Sequence, residues 1–92
     1  MIKTFRSKSL ERYWIRGDAK GLPADVIKRL NLRLSALDNA VTPQEMNISG
    51  WYFHELSGDK KGRWSVRITG NWRLTFAWQN QDAIDVDFED YH

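Results

Sequence analysis

Arg63-Trp-Ser-Val-Arg67-Ile-Thr-Gly-Asn-Trp72-Arg-Leu-Thr-Phe-Ala-Trp78 holds two alternating runs separated by a turn signal. Trp64, Val66 and Ile68 alternate with Arg63, Ser65, Arg67 and Thr69, and Trp72, Leu74, Phe76 and Trp78 alternate with Arg73, Thr75 and Ala77. A period of two is the mark of strands with one face buried. For both apolar sets to reach the same core, even positions must pair with even, so the loop must hold an odd number of residues. Thr69-Gly70-Asn71 meets that condition as a three-residue hairpin loop, with Gly70 or Asn71 expected in the left-handed region. The same register sets Arg67 opposite Arg73 on the face away from the core. Like charges so placed repel unless an anion or an acidic neighbour lies between them. A structural reading pairs Arg73 with Asp87 or Glu89 on a following strand; a functional reading has Arg67 and Arg73 gripping a phosphate with their guanidinium forks.

Outward from the hairpin, Trp51 to Leu56 reads as a preceding strand and Ala83 to Glu89 as a following one, in which Ile84, Val86 and Phe88 alternate with acids. Ile2, Thr4 and Phe5 suit a short first strand. Ser7 or Ser9 caps a helix whose Leu10, Tyr13 and Trp14 share a face until Gly17. Pro23 opens a second helix with an apolar stripe of Val26, Leu30, Leu34 and Leu37, leaving Lys28, Arg29 and Arg33 off it and Asn39 as a stop. Thr42-Pro-Gln-Glu45 spells a capping box. The expected class is α+β: two N-terminal helices packed on a mainly antiparallel sheet of four to five strands, residues 1–92 forming one domain. The five tryptophans fall mostly on core-side positions and read as packing.

The formal charge of +2 hides a split. Residues 1–74 carry all 14 Lys and Arg, while 75–92 hold five of the 12 acids and no base. A basic body of this kind suits a polyanion partner such as RNA. No apolar run is long enough to span a membrane, and Met1-Ile-Lys-Thr-Phe-Arg6 lacks the apolar stretch of a signal peptide, so no membrane association is expected. Cysteine is absent, which removes disulfides and thiolate ligands and fits a reducing cytoplasm. Arg16-Gly17-Asp18 and Asn47-Ile48-Ser49 spell adhesion and glycosylation motifs, but both need an extracellular setting. Strand alternation splits Asp82, Asp85, Asp87, Glu89 and Asp90 across two faces, so no metal site is expected.

The chemistry concentrates around the two histidines, His54 and His92. His54 ends the aromatic run Trp51-Tyr-Phe-His54, just before the polar loop Ser57-Gly-Asp-Lys60-Lys61-Gly62. Lys60, Lys61, Arg63 and Arg67 follow as candidate RNA contacts. Cleavage of RNA by its own 2′-hydroxyl needs a base for that hydroxyl, a cation for the crowded phosphorane and an acid for the leaving 5′-oxygen. His, Arg and His can supply all three with no cofactor, and Tyr91 could stack on an unpaired base.

Leu56-Ser-Gly-Asp-Lys-Lys-Gly-Arg63, Trp64-Ser-Val-Arg-Ile68, Asn71-Trp-Arg-Leu-Thr-Phe76 and the closing Asp90-Tyr-His92 together resemble HigB-type toxins of the RelE superfamily. The resemblance extends over nearly the whole chain. It implies a ribosome-dependent, metal-independent mRNA endonuclease acting on the 70S ribosome, neutralised by a HigA-like antitoxin and reaching operator DNA only through that antitoxin. Carried over by position, the implied active-site residues are His54, Arg73, Asp90, Tyr91 and His92. One departure stands out: where close relatives can carry a lysine three residues after the first histidine, this chain has Ser57, leaving Lys60 or Lys61 to supply the charge. A second function class is a non-catalytic module of the same fold that binds RNA or an antitoxin; it requires the arginines and dispenses with the histidines.

Overall fold

A computed structural model of the chain describes residues 1–90. Helix α1 spans Lys8–Arg16. It starts where the Ser7 hydroxyl accepts a hydrogen bond from the Leu10 N–H at 3.2 Å, and it ends at Gly17, whose φ of 72° lets its N–H turn back to the Tyr13 carbonyl. Pro23 leads into a single 3-10 turn, Ala24–Val26, that runs on into helix α2, Ile27–Asn39. The expected stripe is wholly buried: Val26, Leu30, Leu34 and Leu37 have no exposed surface. Beyond it, Glu45 accepts from the backbone N–H groups of Val41 and Thr42, both at 2.8 Å, and completes the Thr42 capping box. These two bonds hold the Glu45 carboxyl below its ordinary pKa.

Four antiparallel strands follow in spatial order: β1 (His54–Glu55), β2 (Arg63–Arg67), β3 (Trp72–Gln79) and β4 (Asp82–Asp90). The β2–β3 register is the one that parity demands, with Trp64 opposite Phe76, Val66 opposite Leu74 and Arg67 opposite Arg73. Val66, Leu74 and Phe76 are fully buried and join Leu10, Leu30, Leu34, Leu37 and Val86 in one core between helices and sheet. Trp14, Trp51, Trp64, Trp72 and Trp78 pack against that core while keeping part of their surface in water.

Several local expectations are corrected. Gly70 and Asn71 are not left-handed. The turn is closed by Ile68 N–H to the Trp72 carbonyl at 2.9 Å and by the Thr69 hydroxyl, which accepts from the Asn71 N–H. The strand expected at Trp51 to Leu56 shrinks to His54–Glu55, because Tyr52 sits at φ 52° and bends the chain out of the extended region. The N-terminal segment forms isolated parallel bridges to β4, at Ile2–Ala83 and Phe5–Val86, in place of a continuous strand.

The alternation of Ile84, Val86 and Phe88 also fails. Thr75 faces Asp87 but Ala77 faces Ile84, so β4 carries one extra residue, a bulge with Asp85 at φ 50°. Core-facing parity therefore switches along β4: Ala83 and Val86 are both fully buried. Finally, Arg33 belongs to the interior, at 7% exposure, where its guanidinium lies 4.5 Å over the Trp51 ring and its Nε donates to the Arg67 carbonyl at 2.8 Å. Burial, with the charge of Arg29, lowers its pKa.

Candidate active site

On the sheet face turned away from the core, register assembles two rows of side chains. One row runs His54, Ser65, Thr75 and Asp87; the next runs Arg67, Arg73 and Glu89. Neighbours within a row lie on strands about 4.8 Å apart. Over these rows lies a cleft of about 240 Å³ lined by His54, Leu56, Lys60, Ser65, Arg73, Thr75, Glu89 and Asp90.

His54 occupies the edge strand and is exposed. Its Nδ1 lies 3.0 Å from the Tyr52 carbonyl oxygen. A carbonyl can only accept, so Nδ1 carries the proton and Nε2 is left as the basic nitrogen of the neutral ring. The backbone that supplies this carbonyl is itself fixed on two sides. The Trp51 carbonyl accepts from the Arg67 N–H at 2.7 Å, and the Arg67 guanidinium sits 5.1 Å from the Tyr52 ring centre.

Arg67 and Arg73 avoid collision by diverging. Arg67 covers Tyr52, whereas Arg73 Nη1 donates to the Thr69 and Trp72 carbonyls at 2.9 and 3.3 Å. Glu89 lies directly opposite Arg73 in the sheet. Its carboxylate is held by Lys60 Nζ at 2.8 Å on one oxygen and by the Thr75 hydroxyl on the other. Burial pulls the Glu89 pKa up, but these two hydrogen bonds and the charges of Lys60 and Arg63 outweigh it, so the group titrates below the usual carboxylate range.

The candidate RNA contacts separate in this geometry. Lys60 reaches the cleft, and Lys61 is exposed on the loop beside it. Arg63 needs correction: only 7% exposed, it lies inside the sheet, with Nη2 donating to the Thr75 hydroxyl at 3.0 Å and the Asp85 carbonyl at 2.8 Å. Its Nε and Nη1 are buried without a hydrogen-bond partner among the described residues. Burial and the nearby Arg6 charge lower its pKa, against the pull of Glu89, Asp87 and Asp85. Asp90 lines the cleft at the end of β4; Tyr91 and His92 lie outside the described residues. The reading of the residues missed Leu56, Ser65 and Thr75 as cleft walls, although the strand parity that exposed the arginine pair also put Ser65 and Thr75 on that face. Among the described residues, no three His, Cys, Asp or Glu side chains come together as a metal site, and no helix is long and apolar enough to cross a membrane.

The family profile described as a RelE-like toxin of type II toxin-antitoxin system HigB matches residues 3–92. The chain belongs to this HigB family. It is 41% identical to the endoribonuclease HigB of Proteus vulgaris over 92 residues, covering both chains completely. It is 30% identical to toxin HigB-1 of Vibrio cholerae over 88 residues, 94% of this chain and 93% of that one. Among solved structures, a YafQ mutant from E. coli shares the fold, with a TM-score of 0.66 at 14% identity, covering 98% of this chain and 93% of that one. The α+β architecture expected for a HigB toxin is therefore the one observed: two helices on an antiparallel sheet.

Proposed function

We propose that this HigB-family chain is a toxin endoribonuclease that cuts mRNA on the ribosome without a metal ion, acts in the cytoplasm and is held in check by a HigA-like antitoxin. The observation that carries this reading is His54. Its Nδ1–H is committed to the Tyr52 carbonyl, leaving Nε2 to take the proton of a 2′-hydroxyl as the oxygen attacks the adjacent phosphate. Arg73 and Lys60 line the same cleft and supply positive charge where the phosphorane gathers negative charge. The leaving 5′-oxygen needs a proton; His92 is the assigned donor, two residues after the cleft residue Asp90, and Tyr91 is the assigned stacking surface for a base. Lys61 and Arg67 are the outer contacts to ribosomal RNA, whereas Arg63 is withdrawn from that role because of its burial.

The test is cleavage of a defined mRNA by purified toxin with and without programmed ribosomes, read by primer extension in the presence of a transition-metal chelator that leaves ribosomes intact. Cleavage only with ribosomes, unaffected by the chelator and abolished by stoichiometric antitoxin, is the expected result. Ribosome binding without cleavage would favour the non-catalytic module, and activity restored specifically by zinc or manganese would overturn the metal-free mechanism.

A further inference from the structure

Lys60 is the cleft cation that comes from a loop, and a lysine on a loop keeps a fixed position only if something holds its ammonium. The loop is a short 3-10 turn, Gly58–Lys60, after Ser57, with left-handed glycines at φ 66° (Gly58) and 91° (Gly62). What holds Lys60 is a chain of contacts running into the sheet. Buried Arg63 Nη2 donates to the Thr75 hydroxyl, that hydroxyl donates to one Glu89 oxygen, and the other Glu89 oxygen accepts from Lys60 Nζ. Its four residues sit on four different elements: β2, β3, β4 and the loop.

The direction of this chain matters. Burying a guanidinium of which two nitrogens find no hydrogen-bond partner among the described residues is costly, and a site that served only stability would be better filled by an apolar side chain. Thr75, 3% exposed, accepts from Arg63, so its own proton is committed to Glu89 and cannot turn elsewhere. Glu89 is thereby locked, and it is ionised, as its lowered pKa also requires. Lys61, the adjacent residue of like chemistry, lines no part of the cleft.

We propose that Arg63, Thr75 and Glu89 are positioning residues whose task is to carry the Lys60 ammonium into the cleft, where it meets the substrate phosphate. This rests on the ribonuclease reading above. Glu89 acts through Lys60 and not on the RNA itself, so the two substitutions must be strongly non-additive.

The experiment is a double-substitution cycle of Lys60→Ala and Glu89→Gln, with Thr75→Val as a third arm, in single-turnover cleavage at saturating ribosome. Urea midpoints report folding, and ribosome affinity is measured separately. Lys60→Ala and Glu89→Gln are each expected to slow cleavage, by up to about 100-fold for a misplaced group, with ribosome affinity little changed. The pair together should be no slower than Lys60→Ala alone. Thr75→Val, which keeps the shape and loses the hydroxyl, should reproduce part of the Glu89→Gln defect and have no effect in the Lys60→Ala background. Additive losses, or a Glu89→Gln protein that cleaves faster because Lys60 has been released, would overturn the assignment while leaving the ribonuclease reading intact. A wild-type chain inactive on ribosomes would overturn both.

Discussion

His54→Asn separates two jobs that one imidazole performs. The asparagine amide can place an N–H near where Nδ1–H meets the Tyr52 carbonyl at 3.0 Å, but it offers nothing at the position of Nε2. The cost in stability should be small. His54 is exposed, lies on a two-residue edge strand and makes its side-chain bond at the surface, so a change within about 0.5 kcal/mol is expected. The cost in rate should be large, because a positioned general base contributes about 100- to 10,000-fold, equivalent to roughly 2.7 to 5.4 kcal/mol of barrier at about 1.36 kcal/mol per decade. The assay is single-turnover mRNA cleavage on saturating programmed ribosomes, beside urea midpoints and ribosome affinity for the same preparations. Stability and affinity should match wild type while cleavage collapses. A loss smaller than about tenfold would refute the reasoning: the histidine would then be a hydrogen-bonding strut and the base would have to be another group.

Arg33→Met keeps an unbranched stem as far as the position of Nε but leaves the Arg67 carbonyl without its donor and Trp51 without its cation; an unsatisfied buried acceptor costs about 1–3 kcal/mol and the cation–π contact contributes about 0.5–2 kcal/mol, partly offset by relief of guanidinium burial, so a fall of about 2 kcal/mol in urea-measured stability is expected. Unchanged stability would mean that the core tolerates an apolar side chain there. Glu89 gives a pH signature. Its folded pKa lies below the unfolded one, so its stabilising contribution is present at neutral pH and disappears as pH falls through the ordinary carboxylate range and then through the folded value. Wild type should therefore lose more stability than Glu89→Gln between pH about 5 and about 3, and parallel losses in urea titrations would contradict the Lys60–Thr75 hold on the carboxylate.

Local signals along the chain determined most of the elements. Ser7 and Gly17 bound α1 because a hydroxyl cap and a left-handed glycine act within one turn of the helix. The stripe Val26-Leu30-Leu34-Leu37 and the Thr42–Glu45 box are equally local. So is the β2–β3 register, since parity and loop length are both contained in residues 63–78, and with it came the facing pair Arg67 and Arg73. Tertiary structure decided what depends on partners distant in the chain. The β4 bulge at Asp85 is one case, because Thr4 meets it from 81 residues away with its hydroxyl accepting the Asp85 N–H. Arg33 is another: it reads as a solvent-facing helix residue until Trp51 and the Arg67 carbonyl close over it. Arg63 likewise reads as a nucleic-acid contact by its charge, yet the third dimension turns it inward onto Thr75. The sequence places a lysine pair after His54, but only packing decides that Lys60, and not Lys61, lines the cleft, because the carboxylate that holds Lys60 lies 29 residues further along the chain.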